Sequence, residues 1–229
     1  MKQLSPVLNH QHVPVEGMRV HIPVSGAVLE GMLDIPERAP GIVLFVHGSG
    51  SSHHSPRNQF VAEEIRKKGL GALLFDLLTQ QEELADEETL ELRFEIGFLA
   101  KRLIEVTNWL LDQPESAGKQ IGFFGSSTGA AAALVAAAHF GTRVGAVVSR
   151  GGRPDLADNA LREVNAPTLL IVGGSDYEVL QLNEAALREL RCEKAMKVIP
   201  GATHLFEEYG ALPQVAHHAA VWLRHHLKN

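Results

Sequence analysis

Two adjacent serines stand between glycines in the run Gly122 to Gly141, GFFGSSTGAAAALVAAAHFG. Gly125, Ser127 and Gly129 satisfy the spacing G-x-S-x-G, with Ser126 as the variable residue. An apolar strand-like run precedes the motif and an alanine-rich helix follows it. In that setting a sharp, strained turn lifts the serine to the edge of a sheet and leaves its oxygen accessible. A serine hydroxyl attacks poorly until a base takes its proton and a third group orients the base. Asp176 follows the apolar run PTLLIVGG and His204 follows MKVIPGAT, so the chain order is Ser, Asp, His. Such a set performs acyl transfer: Ser127 attacks an ester carbonyl, His204 moves the proton, and Asp176 holds the imidazole and stabilises its charge.

A tetrahedral oxyanion also needs donors. The amide of Thr128, directly after the serine, is one candidate. The other comes from the glycine-rich loop HGSGSSHHSPRN (47–58), where the Ser49 amide is favoured and Gly50 is the close second. Losing one such donor typically slows a reaction by about 10²–10³. That loop lacks the G-x-x-x-x-G-K-[ST] pattern of a phosphate-binding P-loop. Other readings compete at several positions. Asp176 could instead cap the helix that begins near Glu178. Asp155 is a rival acid, but its place before LADNALREV reads as a helix N-cap. His217, His218, His225 and His226 read as surface histidines, and the single Cys192 as structural. His53, His54 and Arg57 are candidates to line a substrate pocket. SRGGRPDL brings Arg150 and Arg153 near the same edge, either to clamp a substrate carboxylate or to pair with structural acids. Neither the His53–His54 pair nor HQH at 10–12 has the ligand spacing of a metal site, so no metal is expected.

Elements must carry these residues to one place. Short β-rich runs at 41–48, 70–76, 120–126, 144–149, 167–174 and 195–201 alternate with helical patterns at 57–68, 86–112, 128–140, 155–164, 178–191 and 213–227. The strands are continuous apolar runs, as parallel strands buried on both faces require. The longest helix carries Leu92, Ile96, Leu99, Leu103, Val106 and Leu110 as one stripe, and its acidic opening reads as a solvated face. MRVHIPV and AVLEGMLDIP form an expected antiparallel pair joined at Ser25-Gly26. The prediction is an α/β fold in one domain over 1–229, with an irregular arm at 1–17 and a mostly parallel sheet of about eight strands flanked by helices on both faces. Ser127, Asp176 and His204 then all follow C-terminal strand ends, the edge where open α/β sheets bind ligands.

Composition narrows the class. The chain has 229 residues, 45% hydrophobic and 21% charged, with a formal net charge of −6. That balance offers no footprint for nucleic acid or an anionic membrane surface. No apolar run approaches the roughly 20 residues of a membrane helix, and the N-terminus lacks the apolar core of a secretion signal. One cysteine excludes an internal disulfide and fits a reducing cytoplasm. Monomer and homodimer both stay open.

With these residues in place, the chain resembles the α/β-hydrolase superfamily, and more narrowly its small, cap-less, dienelactone-hydrolase-related branch. FVHGSGSSHHSPRN, GFFGSSTGAAAAL, SRGGRPDLA, TLLIVGGSDYEVL and IPGATHLFEEYGAL carry the resemblance, which covers about residues 18 to 227. It implies an acyl-enzyme mechanism on carboxylic esters and no cofactor. Dienelactone hydrolases proper carry a cysteine where this chain has Ser127, which favours ordinary small to medium esters over dienelactone. Thioesters, aryl esters and activated phosphotriesters offer similar electrophiles, and the fold could also serve as a binding module without turnover. Some relatives of the branch are fused to a phosphoribosyltransferase domain, for which this chain is too short. The stretch between Ser149 and Pro167 is too short for a lid domain, so the pocket is expected to be shallow and open.

Overall fold

The computed structural model describes residues 17–48 and 50–228. Residues 1–16, with the HQH run and nearly all of the expected arm, and Ser49, the favoured oxyanion donor, lie outside them. The chain opens with the expected hairpin, β1 (Met18–Val24) and β2 (Ala27–Asp34), paired antiparallel from Met18–Leu33 to Val24–Ala27. Its turn is closed by Gly26 at φ 77°. Then follow β3 (Gly41–Val46), α1 (Pro56–Lys67), β4 (Gly71–Phe75), α2 (Gln80–Thr89), α3 (Ile96–Leu111), β5 (Gln120–Ser126), α4 (Thr128–Phe140), β6 (Val144–Arg150), β7 (Thr168–Gly173), α5 (Tyr177–Glu189), β8 (Lys194–Ile199) and α6 (Ala211–His226). The eight strands form one sheet in the order β1-β2-β4-β3-β5-β6-β7-β8. Only β1 with β2 and β2 with β4 pair antiparallel; from β4 onward the sheet is parallel.

Alternation along the strands feeds two cores. Val43, Phe45, Phe124 and Val148 pack on one face under Val61 and Ile65 of α1 and Val215 and Ala219 of α6. Ile42, Leu44, Phe123 and Val147 pack on the other under Leu103 and Val106 of α3, the alanines of α4 and Ala186 of α5. A fully buried side chain of this size contributes about 1.5–3 kcal/mol, so the central strands anchor the sheet and leave its C-terminal edge to loops.

The structure departs from the expected elements in two places. The single helix expected over 86–112 is two, because Leu90 takes a left-handed conformation at φ 60°, ψ 14° and a 3-10 turn follows at Leu92–Phe94. The break is held by side chains. Asp86 accepts from the backbone N and Nε of Arg93 (3.0 and 2.7 Å), so its carboxylate replaces the helical acceptor that Arg93 would otherwise use. α2 starts earlier than expected with a reciprocal capping box between Thr79 and Glu82. The acidic run is therefore not only a solvated face: Asp86 is buried, and Glu82 binds Arg102 of α3 at 2.7 Å. The other departure is the expected helix at 155–164. It is a pair of 3-10 turns over Pro154–Glu163, kinked at Asp158 (φ 45°, ψ −128°). Asp155 lies in the first turn, not at the cap, and its carboxylate takes the guanidinium of Arg153.

Candidate active site

β5 ends at Ser126 and α4 starts at Thr128, which leaves Ser127 alone in the turn at φ 51°, ψ −127°. A non-glycine residue there is strained by about 1–3 kcal/mol and persists only where its surroundings enforce it. They do. A Cβ on Gly129 would stand 2.3 Å from the carbonyl oxygen of Val46 and 2.4 Å from that of His47, so α4 can seat against β3 only without a side chain there. A Cβ on Gly125 would lie 2.5 Å from Cα of Ala130, and one on Gly48 would lie 2.7 Å from Cβ of Ser127. The carbonyl of Ser127 accepts from the amides of Ala130 (3.1 Å) and Arg153 (3.0 Å). The positive end of α4 points at this turn, as an oxyanion site would use it.

Asp176 and His204 meet. His204 Nδ1 lies 2.8 Å from Asp176 Oδ2, with the carboxylate mostly buried and the ring part-exposed. Asp176 occupies the N-cap position of α5 yet makes no capping hydrogen bond. Its carboxylate holds the histidine instead, which answers the capping alternative. The loops are locked together by backbone bonds from Ser175 N to Ala202 O (2.9 Å) and Gly174 N to Ile199 O (2.8 Å). On its other side the His204 loop abuts Gly151, where a Cβ would stand 3.6 Å from His204 Cε1. With Nδ1 donating to Asp176, Nε2 is the nitrogen left for a proton from elsewhere. Among the described residues no hydrogen bond joins the ring to Ser127 Oγ; such contacts are often long before substrate binds and tighten with it.

The loop after β3 is tied down by residues that the sequence reading passed over. His47 is buried with its tautomer fixed: Nδ1 donates to the carbonyl of Gly48 (2.9 Å) and Nε2 accepts from the amide of Leu77 (3.0 Å). Burial lowers its pKa, so it stays neutral. Asp76, one residue past β4, receives the backbone N and Nδ1 of His53, each at 2.7 Å. Burial alone would raise the Asp76 carboxyl, but the two hydrogen bonds from His53 outweigh it and hold the pKa below its ordinary value. The ring centres of His53 and His54 lie 3.7 Å apart with the planes tilted by 41°, and the pair lines a cleft against β1 and β2 with Arg19, His21 and Glu30. A second cleft of about 480 Å³, open mouth included, runs from Gly48 and Thr128 to Leu77, Leu78 and Leu99, with Glu83 and Glu87 also in its lining. Thr128 itself is buried at the first turn of α4.

The three arginines differ sharply. Arg153 places Nε and Nη2 on Asp155 at 2.8 to 3.2 Å. Arg57 reaches the exposed Glu207 at 3.2 Å. Arg150 is 9% exposed, and its Nε and Nη1 have no acceptor among the described residues. Burial and then the neighbouring charge of Arg57 push its pKa down to about 10. Cys192 is half-buried with its thiol raised by burial, a structural setting. Among the described residues no group of three or more His, Cys, Asp or Glu side chains could hold a metal ion, and no helix is long and apolar enough to cross a membrane.

Comparison with known proteins places the chain in a family. A model described as the dienelactone hydrolase family matches residues 29–225. The chain belongs to the dienelactone hydrolase family. A dienelactone hydrolase from Anabaena variabilis ATCC 29413 shares 54% identity, covering 93% of this chain and 99% of that one, with a TM-score of 0.91. Est1E from Butyrivibrio proteoclasticus shares the fold at a TM-score of 0.76 and 15% identity, over 92% of this chain and 99% of that one. Proteins of Mycobacterium tuberculosis, strains H37Rv and CDC 1551 / Oshkosh, are 51% identical over 214 residues and carry the provisional name phosphoribosyl transferase. The match covers 93% of this chain and 47% of theirs, so the chain spans about half the length of these curated relatives.

Within this dienelactone hydrolase family member, the rule that selected Asp176 would also have selected Asp76. Both are acids that follow a fully apolar parallel strand at its C-terminal end. The signal was in LGALLFD. What concealed it was the partner, because His53 lies 23 positions away in a loop read only as pocket lining.

Proposed function

We propose that this family member is a serine hydrolase that cleaves small to medium carboxylic esters through an acyl-enzyme intermediate. One observation carries the reading: a helix-cap aspartate leaves its own helix uncapped to hold His204 Nδ1 at 2.8 Å. That bond orients the ring and stabilises the imidazolium once formed, the role of the acid in a catalytic triad. Ser127 Oγ attacks the ester carbonyl while its proton passes to His204 Nε2. The tetrahedral oxyanion is received by the Thr128 amide at the head of α4 and by an amide of the loop after Gly48, for which Ser49 and Gly50 are the candidates. Collapse expels the alcohol, protonated by His204, and leaves an ester on Ser127. Water, deprotonated by the same ring, then attacks that ester and frees the acid.

Ser127 in place of the cysteine of dienelactone hydrolases proper favours ordinary esters, and the open, partly apolar cleft beside Thr128 offers Leu77, Leu78 and Leu99 to an acyl or alkyl group. The name dienelactone hydrolase on the 54% identical Anabaena protein supports hydrolysis at this site. Phosphoribosyl transfer is not proposed, since the match spans only 47% of the relatives bearing that name and overlaps the hydrolase family region of this chain.

The test is labelling by a fluorophosphonate probe alongside hydrolysis of p-nitrophenyl acetate. The expected result is one label per chain, at Ser127, and a loss of about 10⁴-fold or more in kcat for Ser127→Ala. Near wild-type turnover by the folded variant, or no labelling of the native protein, would sink the proposal and favour a binding module.

A further inference from the structure

Among the described residues between Gln80 and Glu95, Asp86 is the one that is buried. No apolar side chain of this stretch joins either core, and Leu84, Leu90 and Phe94 are each more than half exposed. Leu78 and Ile96, on either side of it, do pack on the core. The segment is therefore anchored at its ends and not along its length. Within it, α2 packs mainly on the 3-10 turn at Leu92–Phe94, and Asp86 clasps Arg93.

The tie to the body of the protein is polar. The Glu82 carboxylate accepts from Nη2 and Nη1 of Arg102 at 2.7 and 3.2 Å. Arg102 is the rigid end of this bridge. It is buried on α3, lies 4.7 Å from the ring centre of Phe98, and donates to the carbonyl of Leu77 at 3.3 Å. Glu82 is the end that travels with α2. A helix of ten residues is marginal unless its surroundings hold it. Glu83 and Glu87 stand one turn apart, where like charges repel. Segments with few buried apolar contacts open at lower free energy than the core around them.

The same segment is a wall of the site. Glu83, Asp86, Glu87 and Arg93 line the cleft that Thr128 and the leucines 77, 78 and 99 also line. We propose that residues 80–94 form a hinged wall of this cleft, and that the Glu82–Arg102 bridge is the latch that decides how long an apolar chain the ester can carry. With the wall closed, a short group reaches Ser127, whereas a longer one meets the carboxylates of Glu83 and Glu87. With the bridge released, the wall swings out and a long chain can cover the leucines. The effect on ester size rests on the serine hydrolase reading; the movement of the wall does not.

The experiment has two readouts on the 229-residue protein. In hydrogen exchange followed by mass spectrometry, amides of residues 80–94 should exchange about 10-fold or more faster than those of α3, and several-fold faster again in Arg102→Met. The second readout is kcat/KM for p-nitrophenyl octanoate relative to p-nitrophenyl acetate, and for octyl acetate relative to methyl acetate. Cutting the bridge raises the open fraction, so Arg102→Met should increase the preference for the long chain by about 5-fold or more in one of the two series. The series that responds identifies the acyl or the alcohol side as the occupant of the cleft. A merely destabilised protein would lose activity on both members of a pair alike. Where Arg102→Met does not fold, Glu82→Gln takes its place. It keeps the residue type that the capping box accepts and should move the same preference in the same direction by several-fold. The proposal is overturned if residues 80–94 exchange as slowly as α3, or if both preferences stay within about 2-fold of wild type in the folded variant. Fast exchange of the wall in a protein that the fluorophosphonate probe does not label would refute the hydrolase reading alone.

Discussion

Gly173→Ala puts the catalytic geometry under strain from a residue with no chemistry of its own. At the end of β7, a Cβ on Gly173 would lie 2.4 Å from the carbonyl oxygen of Ala202 and 2.7 Å from that of Thr203. Real Cβ contacts essentially never fall below 3.0 Å, and ordinary contact begins at 3.4 Å. The added methyl must open this gap by roughly 0.6–1.0 Å, and what yields is the backbone that carries His204. A misplacement near 1 Å typically costs about 10² in rate, so kcat/KM for p-nitrophenyl acetate should fall about 100-fold. Labelling by the fluorophosphonate probe should slow by a similar factor, because it needs the same base. Overpacking of this kind destabilises by about 1–3 kcal/mol, which for a chain of this size lowers the melting temperature by roughly 2–12 °C. Gly97→Ala is the control, since a Cβ there meets nothing within 4 Å and the backbone is not left-handed. A folded Gly173→Ala protein with kcat/KM within about 3-fold of wild type would refute the argument that the β7 contact sets the position of the base.

Asp176→Asn should lower kcat by about 10⁴ by favouring the wrong imidazole tautomer. Because Asp176 makes no capping bond, its melting temperature should stay close to wild type, as circular dichroism would register. Asp76→Ala leaves two donors of His53 without their acceptor and should cost about 1–3 kcal/mol. It should also reduce kcat toward 10²-fold as the oxyanion loop loosens. The same carboxylate gives a signed pH dependence. Its folded pKa lies below its unfolded value, so its stabilisation is complete above the ordinary carboxylate pKa near 4 and disappears as pH falls through the lower folded value. Melting curves of wild type and Asp76→Asn should therefore differ most above pH 4 and converge in stronger acid.

Local patterns made much of this molecule legible. Gly125, Ser127 and Gly129 are close in sequence, and the contacts that require the glycines are made by the next turn of α4 and the neighbouring strand, which any strand–turn–helix brings together. The apolar runs set the parallel strands, and the order of loops at their ends nominated Asp176 and His204. Less legible was anything decided by a partner far along the chain. Nothing in a run of leucines at helical spacing says that the helix must break at Leu90; the Asp86–Arg93 chelate that holds the break exists only after the chain has turned. Arg150 and Arg153 look alike in SRGGRPDL, yet Asp155 satisfies one and strand alternation buries the other. His53 read as pocket lining because its acceptor, Asp76, arrives from the adjacent strand.

The strain at Ser127 follows from the same arrangement. A residue at φ 51°, ψ −127° would relax if any one of its supports withdrew. Gly129 lets α4 press against β3, Gly48 lets the loop after β3 approach the serine Cβ, and the Arg153 amide holds its carbonyl. Arg153 is in turn fixed by Asp155, in the 3-10 segment that packs on α4. The short segment after β6 therefore buttresses Ser127. An insertion between Arg150 and Asp155 would separate the Arg153 amide from Ser127 and remove one of the restraints that keep the hydroxyl raised above the sheet.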